Sequence, residues 1–288
     1  MADPSVVLPA HEQYGLPLAF SSDGETLYTG GFDGSVSAWS VTEEVEIANR
    51  SVHEQSVNCG GLAGERLLSG STDCTIRQST VSLENTERVL EGHSKTVTDA
   101  AVNPDETMLA SASYDSTVRI WDLDADSDSV VFEGHAGNVT CVEFLADGTR
   151  VAAGGLGGDV FVWNRASGDI AAKLGGHGAA VAGLTVENAD RFWSVSYEGQ
   201  VFGWTTADWS ETASVDLSID GNATGLAARP RGEQLAITVD GGVRILGTDG
   251  ELMATHETRI KGILSPCWSP DGEMLAVGGA DGKIRLYE

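Results

Sequence analysis

Apolar residues in this chain fall in short alternating runs, four to a unit, and the unit itself repeats. Between positions 97 and 132 the runs are 97–102, 108–113, 117–121 and 129–132, each too short for a helix and bounded by turn residues. Trp39, Trp121, Trp163 and Trp204 mark one position of the pattern at intervals of 82, 42 and 41. Ser79, Leu246 and Tyr287 fill the gaps, so that the steps become 40, 42, 42, 41, 42 and 41. Three residues before each anchor stand Val36, Ile76, Val118, Val160, Val201, Val243 and Ile284, all β-branched as strand interiors favour. Six before come Asp33, Asp73, Asp115, Gly157, Glu198, Asp240 and Asp281; five before come Gly34, Cys74, Ser116, Gly158, Gly199, Gly241 and Gly282. Asp-Gly between strand residues is a hairpin signal, because glycine supplies the positive φ of a tight turn.

Four strands per unit of about 41 residues predict an all-β fold: a seven-bladed β-propeller of four-stranded antiparallel blades, filling 1–288 as one domain. The seventh unit stops at Tyr287-Glu288, after its third strand. Residues 5–8 are expected to supply the missing fourth strand, so that the N-terminal strand pairs with the last blade and no sheet edge is left open.

Particular dipeptides sharpen this reading. Gly92-His93, Gly134-His135 and Gly176-His177 open units, Trp121-Asp122 closes one, and 109–115 reads Leu-Ala-Ser-Ala-Ser-Tyr-Asp and 268–272 Trp-Ser-Pro-Asp-Gly. The whole chain resembles the WD-repeat propeller family, with units 1 and 3 closest to its pattern and units 6 and 7 furthest, since they lack the His and the Trp. The resemblance implies that His11, His53, His93, His135 and His177 belong to the scaffold; only His256 lies off the repeat. It implies hydrogen-bonded sets of His, turn Asp, strand-two Ser or Thr, and Trp: His11–Asp33–Thr29–Trp39 and His93–Asp115–Ser111–Trp121. Unit 5 keeps His177, Ser194 and Trp204 with Glu198 for Asp, and unit 4 has Ala153 and Gly157 at the two partner positions. A Ser-His-Asp set that recurs unit after unit reads as structure rather than as a hydrolase triad, and no catalytic residue, metal site or cofactor is expected.

Charge narrows the partners. Asp and Glu number 43 against 17 Lys and Arg, a net charge of −26, with only four lysines. Such a surface disfavours nucleic acid and anionic lipid, attracts basic segments, and is similar in composition to proteins of salt-loving organisms. No apolar stretch is long enough to span a membrane, and the N-terminus lacks a cationic, apolar leader; a cytoplasmic protein, monomeric when free, is expected. The four cysteines (Cys59, Cys74, Cys141, Cys267) are dispersed and read as free thiols.

Three segments invite chemistry and read more simply. Gly154–Gly158 precedes a strand, not the helix that a phosphate loop needs. Asp122, Asp124, Asp126, Asp128 and Glu133 have a calcium-loop spacing, but Ser127 stands where that loop's glycine belongs, so an acidic inter-strand loop is expected. Trp209 is expected to pack under a loop on the opposite face. The resemblance places the turn Asp and the His on one face, where the residue before each Asp equivalent would also lie: Phe32, Thr72, Tyr114, Leu156, Tyr197, Val239 and Ala280. Tyr14, near His11, joins them. Tyr14, Phe32, Tyr114, Leu156 and Tyr197 are the predicted partner-binding residues of a non-enzymatic interaction scaffold. The competing readings are a propeller that binds a small ligand or metal, or catalyses, in its central channel, and an obligate subunit of a larger complex.

Overall fold

The computed structural model describes residues 3–258 and 262–288. Its elements are β-strands throughout, 28 of them among the described residues, and no helix is long and apolar enough to cross a membrane. They form antiparallel sheets in chain order: five of four strands and one of eight, the last being two four-stranded units joined by a single bridge, Gly15 to Gly279. In the third unit the strands are Val97–Val102, Met108–Ser113, Val118–Asp122 and Val130–Phe132, within a residue or two of the runs read from the sequence. The first strand of each unit packs against the first strand of the next, and that of Ile263–Trp268 packs back against Gly15–Phe20. Four-stranded antiparallel sheets arranged radially in this way are a β-propeller.

The N-terminal strand Val6–Leu8 pairs antiparallel with Ile284–Tyr287, Val6 opposite Leu286 and Leu8 opposite Ile284. Ser5 N–H and Ser5 Oγ both donate to the Leu286 carbonyl. Leu8 and Ala10 are buried in one cluster with Leu27, Trp39, Ile284 and Leu286, so this strand packs on the first sheet while bonding to the last.

The turn between second and third strands is uniform. The residue five before each anchor has φ between 71° and 87° in every unit, including Cys74 and Ser116, which are not glycine. At Gly34 and Gly158 a Cβ would also come within 2.3 and 2.6 Å of the carbonyls of His53 and His177, so glycine is needed there for space as well as for φ.

Neighbouring sheets are tied by side chains. On the inner strands Asn58 donates to the Val97 carbonyl, Thr98 to that of Val139 and Thr140 to that of Val181. Further out, Arg66, Arg150 and Arg191, all thirteen residues before an anchor, donate to the carbonyls of Leu123, Thr206 and Thr248 in the following sheet. Part of the small basic complement is thus spent between sheets. Self-repulsion at −26 is screened as salt shortens its range to about 3 Å at 1 M. The melting temperature is therefore expected to climb from low to molar salt; a melting temperature indifferent to salt would show that repulsion does not limit this fold.

Candidate functional site: the turn face and the channel

The third unit makes a continuous hydrogen-bonded chain. His93 Nδ1 meets Asp115 Oδ2 at 2.8 Å, His93 Nε2 meets Ser111 Oγ at 2.7 Å, and Trp121 Nε1 donates to that same oxygen at 2.8 Å. Asp115 also accepts from the Ser94 and Thr117 amides and from Thr117 Oγ1. Burial raises the Asp115 carboxyl, but the hydrogen bonds from Thr117, His93 and the Ser94 amide prevail and hold it down at about 2. The second unit repeats the arrangement without a tryptophan: His53 joins Asp73 at 2.9 Å and Ser69 at 2.9 Å. That set was legible in the same columns of the sequence.

The other units depart from the expected sets. In the first, His11 Nε2 meets Thr29 at 2.9 Å, but its Nδ1 faces Ser35 Oγ at 3.1 Å, and Asp33 binds that serine instead of the ring. The intervening hydroxyl displaces the direct Asp33–His11 contact, and Trp39 Nε1 is buried with no hydrogen-bond partner. In the fifth, Ser194 joins His177 (2.7 Å) to Trp204 (2.9 Å), while Glu198 lies exposed in solvent and His177 Nδ1 is left buried and unbonded. In the fourth, Ala153 offers no oxygen, so Trp163 Nε1 donates to the Glu133 carbonyl and His135 Nε2 has no partner.

His135 and His177 are consequently hard to protonate. Each ring lies within 5 Å of a phenylalanine ring, Phe161 at 4.7 Å and Phe202 at 4.6 Å. Burial lowers both from 6.5 to about 4. Below pH 6.5 the unfolded chain takes up protons that the folded one refuses, so stability falls as pH drops from 6.5 toward 4. The loss is up to about 3 kcal/mol per histidine. Urea unfolding across that window checks this; the variant His177→Gln should show a shallower decline, and an equal decline would mean that His177 does not contribute.

The turn face carries two apolar groups. Tyr14 and Phe32 pair at 5.8 Å between ring centroids and are 46% and 56% exposed. Tyr114 (36% exposed) and Tyr197 (half-buried) border the central channel, with Leu156 (50% exposed) at the same turn position of the sheet between them. Burial and then the nearby Tyr114 raise the Tyr197 hydroxyl. Val239, expected at the same tip, is instead buried as the last residue of Gln234–Val239. On the opposite face Trp209 is half-buried beneath the Arg150 guanidinium, 4.9 Å from its ring centroid.

The channel itself holds about 820 Å³ and is walled by the first strands. Asp99 and Glu143 are its charged lining residues, on the neighbouring strands Val97–Val102 and Val139–Phe144. Sequence reasoning missed both. The signal was present: they are acids inside inner strands where the residues in the same register elsewhere are Leu16, Cys59, Cys141, Gly183 and Gly225, or Ala19, Gly61, Ala101, Thr185, Ala227 and Cys267.

The acidic segment after Trp121 serves packing and pairing. Asp122 caps the amides of Asp124 and Ala125, Asp124 pairs with Arg66 and Asp126 with Arg88, and Val130–Phe132 is a strand. Gly154 and Gly155 end one strand, and Val160–Asn164 follows as the next.

The family model described as WD domain, G-beta repeat matches residues 5–40, 84–122, 127–164 and 250–288, together more than half of the chain. Each match runs from the outer strand of one sheet through the first three strands of the next, and the first begins at the strand that pairs with the C-terminal one. The last unit, expected to be among the most divergent, is thus matched: Trp268-Ser-Pro-Asp-Gly and the turn at Asp281-Gly282 keep the pattern without the His or the anchor Trp. No curated protein matches the sequence. Repeat, radial sheets and family match agree, and the chain belongs to the WD-repeat family.

Proposed function

We propose that residues 1–288 form a single closed seven-bladed propeller that acts as a non-enzymatic, cytoplasmic interaction scaffold, monomeric when free and without a resident cofactor. Its turn face docks protein partners through Tyr14, Phe32, Tyr114, Leu156 and Tyr197. The observation that carries this reading is the exposure of Phe32, Leu156, Tyr14 and Tyr114 at turn tips on one face, where a side chain without a partner gains nothing from being apolar. Membership of a family of interaction propellers supports it. So does the charge: at −26 the surrounding surface steers basic protein segments toward these anchors and repels nucleic acid. The histidine–aspartate–serine set of the third unit holds the turn that presents Tyr114, a structural role.

Site-specific photo-crosslinking tests the docking face. A crosslinker in place of Phe32 or Tyr114 is expected to trap a discrete partner from native extract, and one in place of Trp209 is not. Equal trapping from position 209, or trapping there alone, would move the interface to the opposite face.

A further inference from the structure

We infer that the central channel binds a primary ammonium group, held between the carboxylates of Asp99 and Glu143. The channel shares Tyr114 and Tyr197 with the docking face, but the site requires no partner bound there. Both acids line one channel of about 820 Å³ that opens to solvent, and among its lining residues there is no Lys, Arg or His. Asp99 is fixed in place: its Oδ1 accepts from the Ala100 amide and its Oδ2 from the Val142 amide of the adjoining sheet, each at 2.9 Å. That second bond sets the Asp99 carboxylate beside the backbone of Glu143's own strand. No ion pair reaches Glu143, and no neighbouring side chain donates a hydrogen bond to it among the described residues.

Two carboxylates in a narrow channel without a cation are costly, since each loses part of its hydration and gains no opposite charge. The cost shows in their protonation. Burial raises Asp99 to about 6, and burial followed by the charge of Asp99 raises Glu143 to about 8. The groups that face them are Cys59, Cys141, Tyr114 and Tyr197, none of which supplies positive charge at neutral pH. Scaffold groups in this protein recur from unit to unit, whereas these two acids each occur once, at positions that are non-acidic in every other unit. A feature built once in a ring of repeats marks a site rather than the frame. An ammonium fits it better than a bare metal ion: no set of three or more His, Cys, Asp or Glu among the described residues is placed to hold a metal. An ammonium needs only acceptors, and the roomy channel admits its alkyl chain past Tyr114 and Tyr197, whose ring faces favour a cation.

Binding must release a proton. At neutral pH the pair retains one, and a cation between the carboxylates favours their ionised forms, so affinity rises as pH goes from 6 to 8. Calorimetric titration of the full chain with 1,4-diaminobutane, at fixed ionic strength, is expected to show one saturable site. The apparent heat should differ between phosphate and Tris buffers because a proton is released. The variant Glu143→Gln, which keeps the shape, should weaken binding at least about tenfold and abolish the buffer difference. A lysine peptide with blocked ends distinguishes a free amine from a partner's side chain: binding of either supports the ammonium site. Three results would each overturn it: no saturable binding of either probe, diamine binding unchanged in Glu143→Gln, or stoichiometric calcium binding that excludes the diamine. Crosslinking of partners at position 32 bears on the docking face alone, so the two readings fail separately.

Discussion

Deletion of residues 1–10 is expected to cost about 5 kcal/mol or more and to make the protein self-associate. Flexible termini usually contribute little, but this one is built into two sheets at once. Val6–Leu8 supplies the outer strand beside Ile284–Tyr287, and the Ser5 amide and hydroxyl add bonds to Leu286. Leu8 is 1% exposed, among Leu27, Trp39 and Leu286. Removing one such leucine side chain alone costs about 2–5 kcal/mol, and the truncation also strips the edge of Ile284–Tyr287 of its partner. Thermal melts with sedimentation analysis check both consequences. A truncated protein that stays monomeric with the parent's melting temperature would rule out closure by this strand.

The variant Asp115→Ala is expected to lose roughly 2–5 kcal/mol, the range for breaking a buried charged hydrogen-bond network. Four donors converge on that carboxylate, and the buried His93 ring is left without its partner. Asp33→Ala should cost less, because Asp33 reaches His11 only through Ser35. The pH dependence has a definite sign. Folding lowers the Asp115 carboxyl from 3.8 to about 2, so its contribution is present above pH 3.8 and disappears as pH falls through 2. Denaturant midpoints of the two variants and the parent provide the check; an Asp115→Ala protein as stable as the parent would contradict the network.

The sequence was most informative where a residue type answers to backbone geometry. The β-branched column from Val36 to Ile284 marks third strands, and the column from Gly34 to Gly282 marks positive φ, so strand positions and turns followed from it. It was least informative about where side chains reach. Nothing in the columns distinguishes Asp33, intercepted by Ser35, from Asp115, which touches its histidine. Nor did they show that Glu198 would turn to solvent and leave His177 Nδ1 unbonded. The channel wall was hidden for a more general reason. Register shifts after the first residue of the inner strands, between Val97 and Asp99 and between Val139 and Cys141, break the two-residue alternation. A one-residue slip exchanges the faces of a strand, so Asp99 and Glu143 could not be assigned to the channel from periodicity alone.

The most direct test of the scaffold account pairs binding with stability in the variants Phe32→Ala and Tyr114→Ala, at two exposed positions. Interface anchors of this kind cost about 2 kcal/mol or more when truncated, whereas exposed residues with only a scaffold role change stability by within about 0.5 kcal/mol. Quantitative capture of a native partner, at the salt concentration of the source cell, should be lost in both variants while their melting curves stay close to the parent's. If both variants retain every partner that the parent captures, the turn face is not where this propeller binds.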